Sequence, residues 1–161
     1  MDICGLEVEV VFLVDEEIVL AYAWHHDEKR ALNHLEKIRK FHDLGGEIRK
    51  SEELEEWLKR KVEETVLKGA RFSLPNVNYR NRSVYENILK IPRGKTATYA
   101  QIAKESNVKY AELLVTLMRN PFQVLIPCHR LVTSKGTLFG FYPLGKEVKR
   151  KLLELEGVKL R

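Results

Sequence analysis

Hydrophobic and polar positions in the first half of the chain predict a small mixed layer of strands and helices. Alternating residues over 6–24, with an acidic turn at residues 15–17, indicate an antiparallel hairpin. Apolar positions at helical spacing predict one helix over residues 27–43 and a second that begins after Ser51 and ends near Gly69. No catalytic pattern occurs here, so residues 1–70 are predicted to form an α/β structural domain.

The pattern after residue 70 predicts a linker followed by a mainly helical domain. Residues 71–82 are rich in Asn and Arg, which is typical of a linker. Thr98-x-x-Gln101 matches a capping box that opens a helix, and a second helix over residues 109–119 follows a short break. This is the spacing of a helix-turn-helix. Residues 83–161 are therefore predicted to form a second domain.

The rest of the second domain is predicted to contain a strand before Cys128, a loop and a last helix. The apolar run at residues 124–126 predicts an extended strand that leads to Cys128. A loop over residues 140–145 then precedes a last helix over residues 146–156. The buried face of that helix is predicted to carry Val148, Leu152 and Leu155.

Charge is divided unevenly between the two halves. Residues 1–70 carry 11 basic and 17 acidic side chains, whereas residues 71–161 carry 17 basic and 6 acidic ones, within a net charge of +5. A basic domain is typical of proteins that bind a polyanion, because each neutralised phosphate releases condensed counterions. The alternative is a solvated basic surface that only keeps the protein in solution.

Composition narrows the class of protein further. Charged residues make up 32% of the chain and Gln is scarce beside abundant Lys and Glu, a bias that resembles proteins of thermophiles. Two cysteines cannot build a disulfide framework and no leader pattern opens the chain, which predicts a cytoplasmic protein. No apolar run approaches the roughly 18 residues that span a bilayer, so no membrane association is expected.

The segment IPCHRLV, residues 126–132, allows three interpretations of Cys128. A free cysteine beside an apolar step is most often a small buried hydrophobe. A zinc site is not predicted there, since no second cysteine lies at CxxC spacing. A partial metal site in the first half would combine Cys4 with His25, His26 or His42. As a nucleophile, Cys128 would gain thiolate character from the positive potential of His129 and Arg130.

A direct dyad of Cys128 and His129 is not expected. Successive side chains of an extended segment point to opposite faces, so the two would connect through a water molecule. The histidine would then need a third group to orient it. A carboxylate suits this role because it fixes the tautomer and stabilises the imidazolium. Sequence spacing leaves open which glutamate this is.

Five motifs of the second half occur together. In chain order they are GKTATYAQIA, MRNP, IPCHRLV, GFYPLG and LLELEG. This combination, over residues 83–157, resembles the O6-alkylguanine-DNA alkyltransferase family. The resemblance implies a ribonuclease H-like α/β N-terminal layer and a mainly α C-terminal domain with a helix-turn-helix and a short active-site strand. It also implies a monomer that extrudes a damaged guanine from double-stranded DNA and takes its O6-alkyl group irreversibly, without a cofactor.

The resemblance assigns catalytic roles to five residues. Cys128 is expected to accept the alkyl group, His129 to act as a water-linked base, and Glu156 to orient His129. Tyr99 is expected to approach a ring nitrogen of the guanine as a general acid, which reduces the charge on the leaving base. Asn120 is expected to bond the recognition helix and the active-site strand across the turn between them.

The resemblance also assigns contacts with the base and with the duplex. Backbone carbonyls of Cys128 and Leu131 are expected to accept from the guanine amino group, and the loop over residues 142–145 to wall the pocket. The expected substrate-binding residues are Leu131, Tyr142, Pro143, Gly145 and Arg130. The expected DNA-binding residues are Tyr99, Lys109, Glu112 and Arg119.

The sequence departs from the family pattern at Glu112, at Pro143 and at residues 114–116, where Leu, Val and Thr replace small residues that allow close approach to the minor groove. Glu112 stands where the family has an arginine that fills the gap left by the extruded base, and a carboxylate there would be repelled by phosphates. Pro143 stands where a serine hydroxyl helps to hold the base. A lesion-recognition module with weak or no transfer is therefore the alternative function. A third hypothesis is that the protein is a helix-turn-helix transcription regulator, although such a protein would not need the motif around Cys128.

Overall fold

The structure, a computed structural model, describes residues 1–3 and 5–160. Helices and strands are mixed along the chain. The strands are β1 (Asp2–Ile3), β2 (Leu6–Glu7), β3 (Glu9–Asp15), β4 (Ile18–His25), β5 (Glu47–Arg49), β6 (Ala97–Thr98) and β7 (Leu131–Val132). The helices are α1 (Glu28–His42), α2 (Glu52–Lys68), α3 (Arg82–Leu89), α4 (Tyr99–Glu105), α5 (Tyr110–Met118) and α6 (Lys146–Leu155). A single 3₁₀ turn covers Cys128–Arg130 in the described part of the chain.

A three-stranded antiparallel sheet with strand order β4-β3-β5 lies at the centre of the first half. The hairpin of β3 and β4 confirms the predicted one, with Val10 opposite Trp24 and Phe12 opposite Tyr22. Its start differs, because Leu6–Glu7 pairs with β1 instead of extending β3. The helix α1 packs against β3 and β4. Burial therefore extends through residues 10–14 without the alternation of a half-exposed strand.

Local capping residues determine where the first two helices begin and end. Asp27 accepts a hydrogen bond from the Arg30 N–H at the start of α1, and Ser51 accepts one from the Leu54 N–H at the start of α2. The helix α2 ends at Gly69, which takes the left-handed conformation. The helix α1 is capped at its C-terminal end by Asp43, which also takes the left-handed conformation. Both predicted helices are confirmed to within two residues.

The helices α4 and α5 form the predicted helix-turn-helix. They are separated by residues 106–109, where Asn107 takes the left-handed conformation that asparagine tolerates. Thr98 Oγ1 accepts a hydrogen bond from the Gln101 N–H at 3.1 Å. The Gln101 side chain donates to Glu105 instead of returning to Thr98, so the predicted capping box is only half formed. Behind these helices, β6 pairs with β7 in parallel.

The two halves share one hydrophobic core. Tyr22 N–H donates to the Pro121 carbonyl at 3.0 Å, and the Tyr79 hydroxyl donates to the Leu20 carbonyl at 2.6 Å. Tyr79 belongs to the predicted linker, yet it is buried and its ring packs edge-on against Phe122. The segment before α3 is thus held against the first half. None of the helices in the described ranges is long and apolar enough to cross a membrane.

Candidate active site around Cys128

Cys128 lies in a tight turn rather than on a strand. The chain leaves α5, reverses at Val124 (φ 78°), passes through the 3₁₀ turn and enters β7 only at Leu131. The predicted extended run at residues 124–126, with the cysteine on the active-site strand, is therefore wrong. The physical reason is Asn120, whose side chain donates to the Ile126 carbonyl (3.1 Å) and accepts from the Phe122 N–H (2.9 Å), so that the segment folds back.

The thiol borders a cavity of about 420 Å³. Cys128 is 8% exposed, and Asn120 Nδ2 lies 3.4 Å from its Sγ. Side chains that line the cavity are mostly apolar or aromatic: Tyr99, Leu114, Leu117, Met118, Phe139, Phe141, Tyr142 and Pro143. Pockets of roughly 300–1,000 Å³ with apolar walls are usual for small organic ligands. The volume and the apolar walls of this cavity suit a small planar ligand, and Cys128 is one of the residues that line it.

His129, the residue after Cys128, forms a buried hydrogen-bonded pair with Glu156. His129 Nε2 lies 3.1 Å from Glu156 Oε1, and both side chains are essentially inaccessible. Burial lowers the pKa of His129, so the ring is neutral and its Nε2–H donates to the carboxylate. His129 Nδ1 is then an unprotonated acceptor, and it has no partner within the described residues. This tautomer leaves Nδ1 able to take a proton.

Arg130 shares the same carboxylate and does not reach the cavity. Its guanidinium donates to both oxygens of Glu156, with the shortest contact at 2.5 Å, and to the Ile91 carbonyl at 2.7 Å. The prediction that Arg130 contacts substrate is wrong, because this side chain is a buried structural ion pair. Burial alone would raise the pKa of Glu156, but the hydrogen bonds from His129 and Arg130 lower this pKa below its ordinary value.

The predicted source of positive potential at the thiol also needs correction. With His129 neutral and Arg130 compensated by Glu156, neither residue makes Cys128 a thiolate. Burial raises the pKa of the Cys128 thiol. The hydrogen bond from Asn120 and the charge of Lys149 oppose this rise. The cation that acts on the sulfur therefore comes from α6.

Lys149 is a functional candidate that the sequence pattern did not single out. It is fully buried, and its Nζ lies 2.6 Å from the Tyr99 hydroxyl oxygen. Burial lowers the pKa of Lys149 to about 8, and the charge of an ionised Cys128 would raise it. Burial, followed by Cys128 and Tyr110, raises the pKa of Tyr99, so the phenol keeps its proton. Thiol, lysine and phenol thus form one electrostatic group.

A signal for Lys149 was present in the last helix. Lys149 precedes Leu152, Leu153 and Glu156 by three, four and seven residues, which places all four on one helix face. The predicted buried face is partly wrong, because Leu155 is 45% exposed while Lys149 and Leu153 are inaccessible. A lysine on the same helix face as two leucines and Glu156 indicates a buried cation.

The first half of the chain supports the wall of the cavity. The side chain of Gln123 donates to the Tyr142 carbonyl and accepts from the Trp24 indole N–H. His34 of α1 packs edge-on against the Tyr142 ring at 4.9 Å. Tyr142, Pro143 and Gly145 line the cavity, whereas Leu131 in β7 is fully buried and does not line it. The loop at residues 142–145 is therefore anchored to β4 and α1.

Comparison with known proteins identifies the second half of the chain. Residues 80–158 match the family described as 6-O-methylguanine DNA methyltransferase, DNA binding domain. This part of the chain, just under half of its length, is therefore similar to that family. A methylated-DNA--protein-cysteine methyltransferase of Saccharolobus solfataricus is 44% identical over 78 residues, which are 48% of this chain and 50% of that protein. The chain thus spans about half the length of the curated relatives it matches.

Solved structures extend the likeness to the first half. The O6-methylguanine-DNA methyltransferase of the hyperthermophilic archaeon Pyrococcus kodakaraensis has a TM-score of 0.67 at 28% identity, and the match covers 93% of this chain and 94% of that one. A Mycobacterium tuberculosis relative in complex with DNA has a TM-score of 0.51 at 28% identity over 61% and 64% of the two chains. The mixed α and β fold of the methyltransferase family therefore describes this chain. The archaeal relatives agree with its thermophile-like composition.

The residues predicted to bind DNA lie in or next to the two helices of the helix-turn-helix. Lys109 precedes α5 and is exposed, and Arg119 follows α5 with its carbonyl 2.8 Å from His42 Nε2. Glu112 accepts a hydrogen bond from Asn81 Nδ2 at 2.9 Å and lies 3.5 Å from the Arg80 guanidinium. The Glu112 carboxylate is thus bound by Asn81 and Arg80. This pairing weakens the repulsion from phosphates that was expected for a carboxylate at this position.

The candidate metal ligands of the first half do not form a site in the described residues. Cys4 lies outside the part of the chain that the structure describes. Over residues 1–3 and 5–160, no three His, Cys, Asp or Glu side chains are grouped so that they could hold a metal ion. His42 instead bridges the halves, with Nε2 near the Arg119 carbonyl and Nδ1 accepting from the Arg80 N–H at 3.1 Å.

Proposed function

We propose that the protein repairs DNA by moving the alkyl group of O6-alkylguanine to the sulfur of Cys128, once per molecule and irreversibly. One observation carries the proposal: the thiol borders a base-sized apolar cavity, and the next residue in the chain, His129, forms a buried imidazole–carboxylate pair with Glu156. The match of residues 80–158 to the methyltransferase family supports the same chemistry.

The first step of the proposed reaction prepares the nucleophile. The Cys128 proton moves through a bridging water to His129 Nδ1, the nitrogen that is free to accept it. Glu156 stabilises the imidazolium that forms. Lys149 supplies the positive charge that lowers the cost of the thiolate in this buried site.

The second step transfers the alkyl group. The thiolate attacks the alkyl carbon in line, so that an S–C bond forms as the C–O6 bond breaks and the electron pair stays with guanine. Lys149 Nζ donates to the Tyr99 oxygen, which leaves the phenolic proton free for a ring nitrogen of the departing base. Lys149 then restores the proton to Tyr99. The thioether product has no easy leaving path, so the protein is consumed.

The other predicted residues complete the proposal. Asn120 fixes the position of the sulfur, the Cys128 and Leu131 carbonyls accept from the guanine amino group, and Tyr142, Pro143 and Gly145 enclose the base. The duplex is proposed to contact Tyr99, Lys109 and Arg119, with the basic charge of residues 71–161 attracting its phosphates. A base leaves the stack at a cost of a few kcal/mol, which is smaller for a weakened pair.

The wider organisation follows the same proposal. We assign residues 1–70 to a ribonuclease H-like structural domain, residues 71–82 to a linker and residues 83–161 to the alkyl-accepting domain. The protein would act as a monomer, since Cys128, His129, Lys149 and Glu156 all come from one chain. It would act in the cytoplasm, where the thiol stays reduced.

The test is the mass of the protein after incubation with duplex DNA that carries one O6-methylguanine. We expect a gain equal to one CH₂ group in the wild type and no gain in Cys128→Ala, with an unmodified duplex as the second control. Lesion-selective binding without any gain in mass would instead establish the alternative, a recognition module.

A further inference from the structure

Exposed aromatic side chains occur in the cavity wall and on the helix α5 that contributes to that wall. Phe139 is 50% exposed, Tyr110 is 48% exposed and Tyr142 is 37% exposed. Phe139 and Tyr142 line the cavity itself. Contiguous exposed apolar surface on a soluble domain usually marks a binding site. Aromatic rings beside basic charge are the combination that binds unstacked nucleobases.

Tyr110 stands on the cavity side of α5. Leu114, Leu117 and Met118 of this helix line the cavity, and Tyr110 precedes them by four, seven and eight residues. Residues at these spacings share one helix face, so the Tyr110 ring lies one turn beyond the cavity wall. Its phenol is also close enough to raise the pKa of Tyr99, which lines the cavity. Tyr110 therefore borders the entrance that an extruded base must pass.

The same helix offers no cation for the space that an extruded base leaves behind. Residues 110–118 contain one charged side chain, Glu112, and this is hydrogen-bonded to Asn81 and paired with Arg80. An unfilled gap costs the stacking energy of the neighbouring base pairs. A flat ring that enters the gap recovers part of it, as apolar wedges do in other DNA-bending proteins.

We propose that Tyr110 inserts its ring into the duplex beside the extruded nucleotide and holds the DNA open while the base occupies the cavity. The exposed Lys109 next to it would contact a phosphate and fix the approach of the ring. The occupant of this aromatic surface is thus duplex DNA with one base displaced, in keeping with the charge of +11 that residues 71–161 carry. This inference rests on the proposed function.

The test compares transfer from a duplex with transfer from the free base. Wild type, Tyr110→Ala and Tyr110→Phe are each reacted with duplex O6-methylguanine and with free O6-methylguanine, and the alkylated protein is followed by mass. Stacking of one base on an aromatic side chain is worth about 1–3 kcal/mol, so Tyr110→Ala should slow the duplex reaction about 5- to 150-fold. Tyr110→Phe keeps the ring and should stay within about twofold, as should the free-base reaction of all three proteins.

A second measurement does not depend on transfer. In the Cys128→Ser background, 2-aminopurine beside the lesion should fluoresce more strongly when the protein unstacks it, and Tyr110→Ala should abolish that rise. Leu67→Ala, which shortens an exposed apolar residue of α2, is the control and should change neither readout.

Failure of the inference is distinguishable from failure of the proposed function. Equal duplex rates for Tyr110→Ala and the wild type, or equal slowing with both substrates, would overturn the role of Tyr110 alone. Absence of transfer from either substrate to the wild type would overturn the proposed function and this inference together.

Discussion

The substitution Glu156→Gln tests the buried ion pair behind the thiol. Glu156 is 1% exposed and accepts from the Arg130 guanidinium at 2.5, 3.0 and 3.2 Å, while Arg130 is 4% exposed. Glutamine keeps the shape and can still accept from His129 Nε2. It leaves the arginine charge buried without its partner.

The expected loss of stability follows from that burial. Removing one partner of a buried ion pair costs about 3–5 kcal/mol, because the remaining charge is uncompensated. For a chain of this length, 1 kcal/mol lowers Tm by about 2–4 °C, so Glu156→Gln should lower Tm by roughly 6–20 °C. The double variant Arg130→Met with Glu156→Gln removes both charges and should recover most of the loss.

Urea unfolding followed by tryptophan fluorescence measures this loss. The control is Glu86→Gln, which breaks the exposed pair between Arg82 and Glu86 at 2.9 Å and should cost less than about 1 kcal/mol. The pKa of Glu156 is lowered in the folded state, so the stabilisation is present above the unfolded pKa of about 4.3 and disappears as pH falls through the lower folded value. A loss for Glu156→Gln no larger than for Glu86→Gln, or a double variant no more stable than the single one, would refute the reasoning.

Two further predictions concern Lys149, which acts on the sulfur through its charge, and His129, the proposed base. Lys149→Met should slow the reaction of iodoacetamide with Cys128 below about pH 8, since the charge that opposes the burial effect is lost, and Lys149→Arg should slow it less. The wild-type contribution of Lys149 should decline above about pH 8, where the lysine loses its proton; an unchanged profile in Lys149→Met would contradict the role of this cation. His129→Ala should slow alkyl transfer about 10²- to 10⁴-fold and change the Kd for lesion DNA by less than about twofold, measured by mass and by gel shift. Comparable losses in both readouts would exclude a role as the base.

Elements governed by local chemistry were predictable from the sequence. Ser51 and Asp27 cap their helices with their own side chains, and the β3–β4 hairpin consists of two apolar runs joined by an acidic turn. The strand β5 was not predicted, because its three residues are all exposed and carry no alternating pattern. It forms only because β3 offers a free edge.

The site depends on contacts between distant residues, and there the sequence was less informative. The turn that presents Cys128 is set by Asn120 and by a left-handed Val124, a conformation that a β-branched residue rarely adopts. Glu156 emerged from the motif resemblance, whereas its second partner Arg130 required the structure. The same holds for Lys149, because only the packing of α6 shows that it meets Tyr99 rather than solvent.

The most direct measurement is peptide mass mapping after one equivalent of O6-methylguanine duplex has reacted. We predict one added methyl group per protein molecule, confined to the peptide that contains Cys128, together with an equal amount of unmodified guanine recovered in the DNA. A methyl group on any other residue, or restored guanine without a modified Cys128, would contradict the assignment of this sulfur as the acceptor.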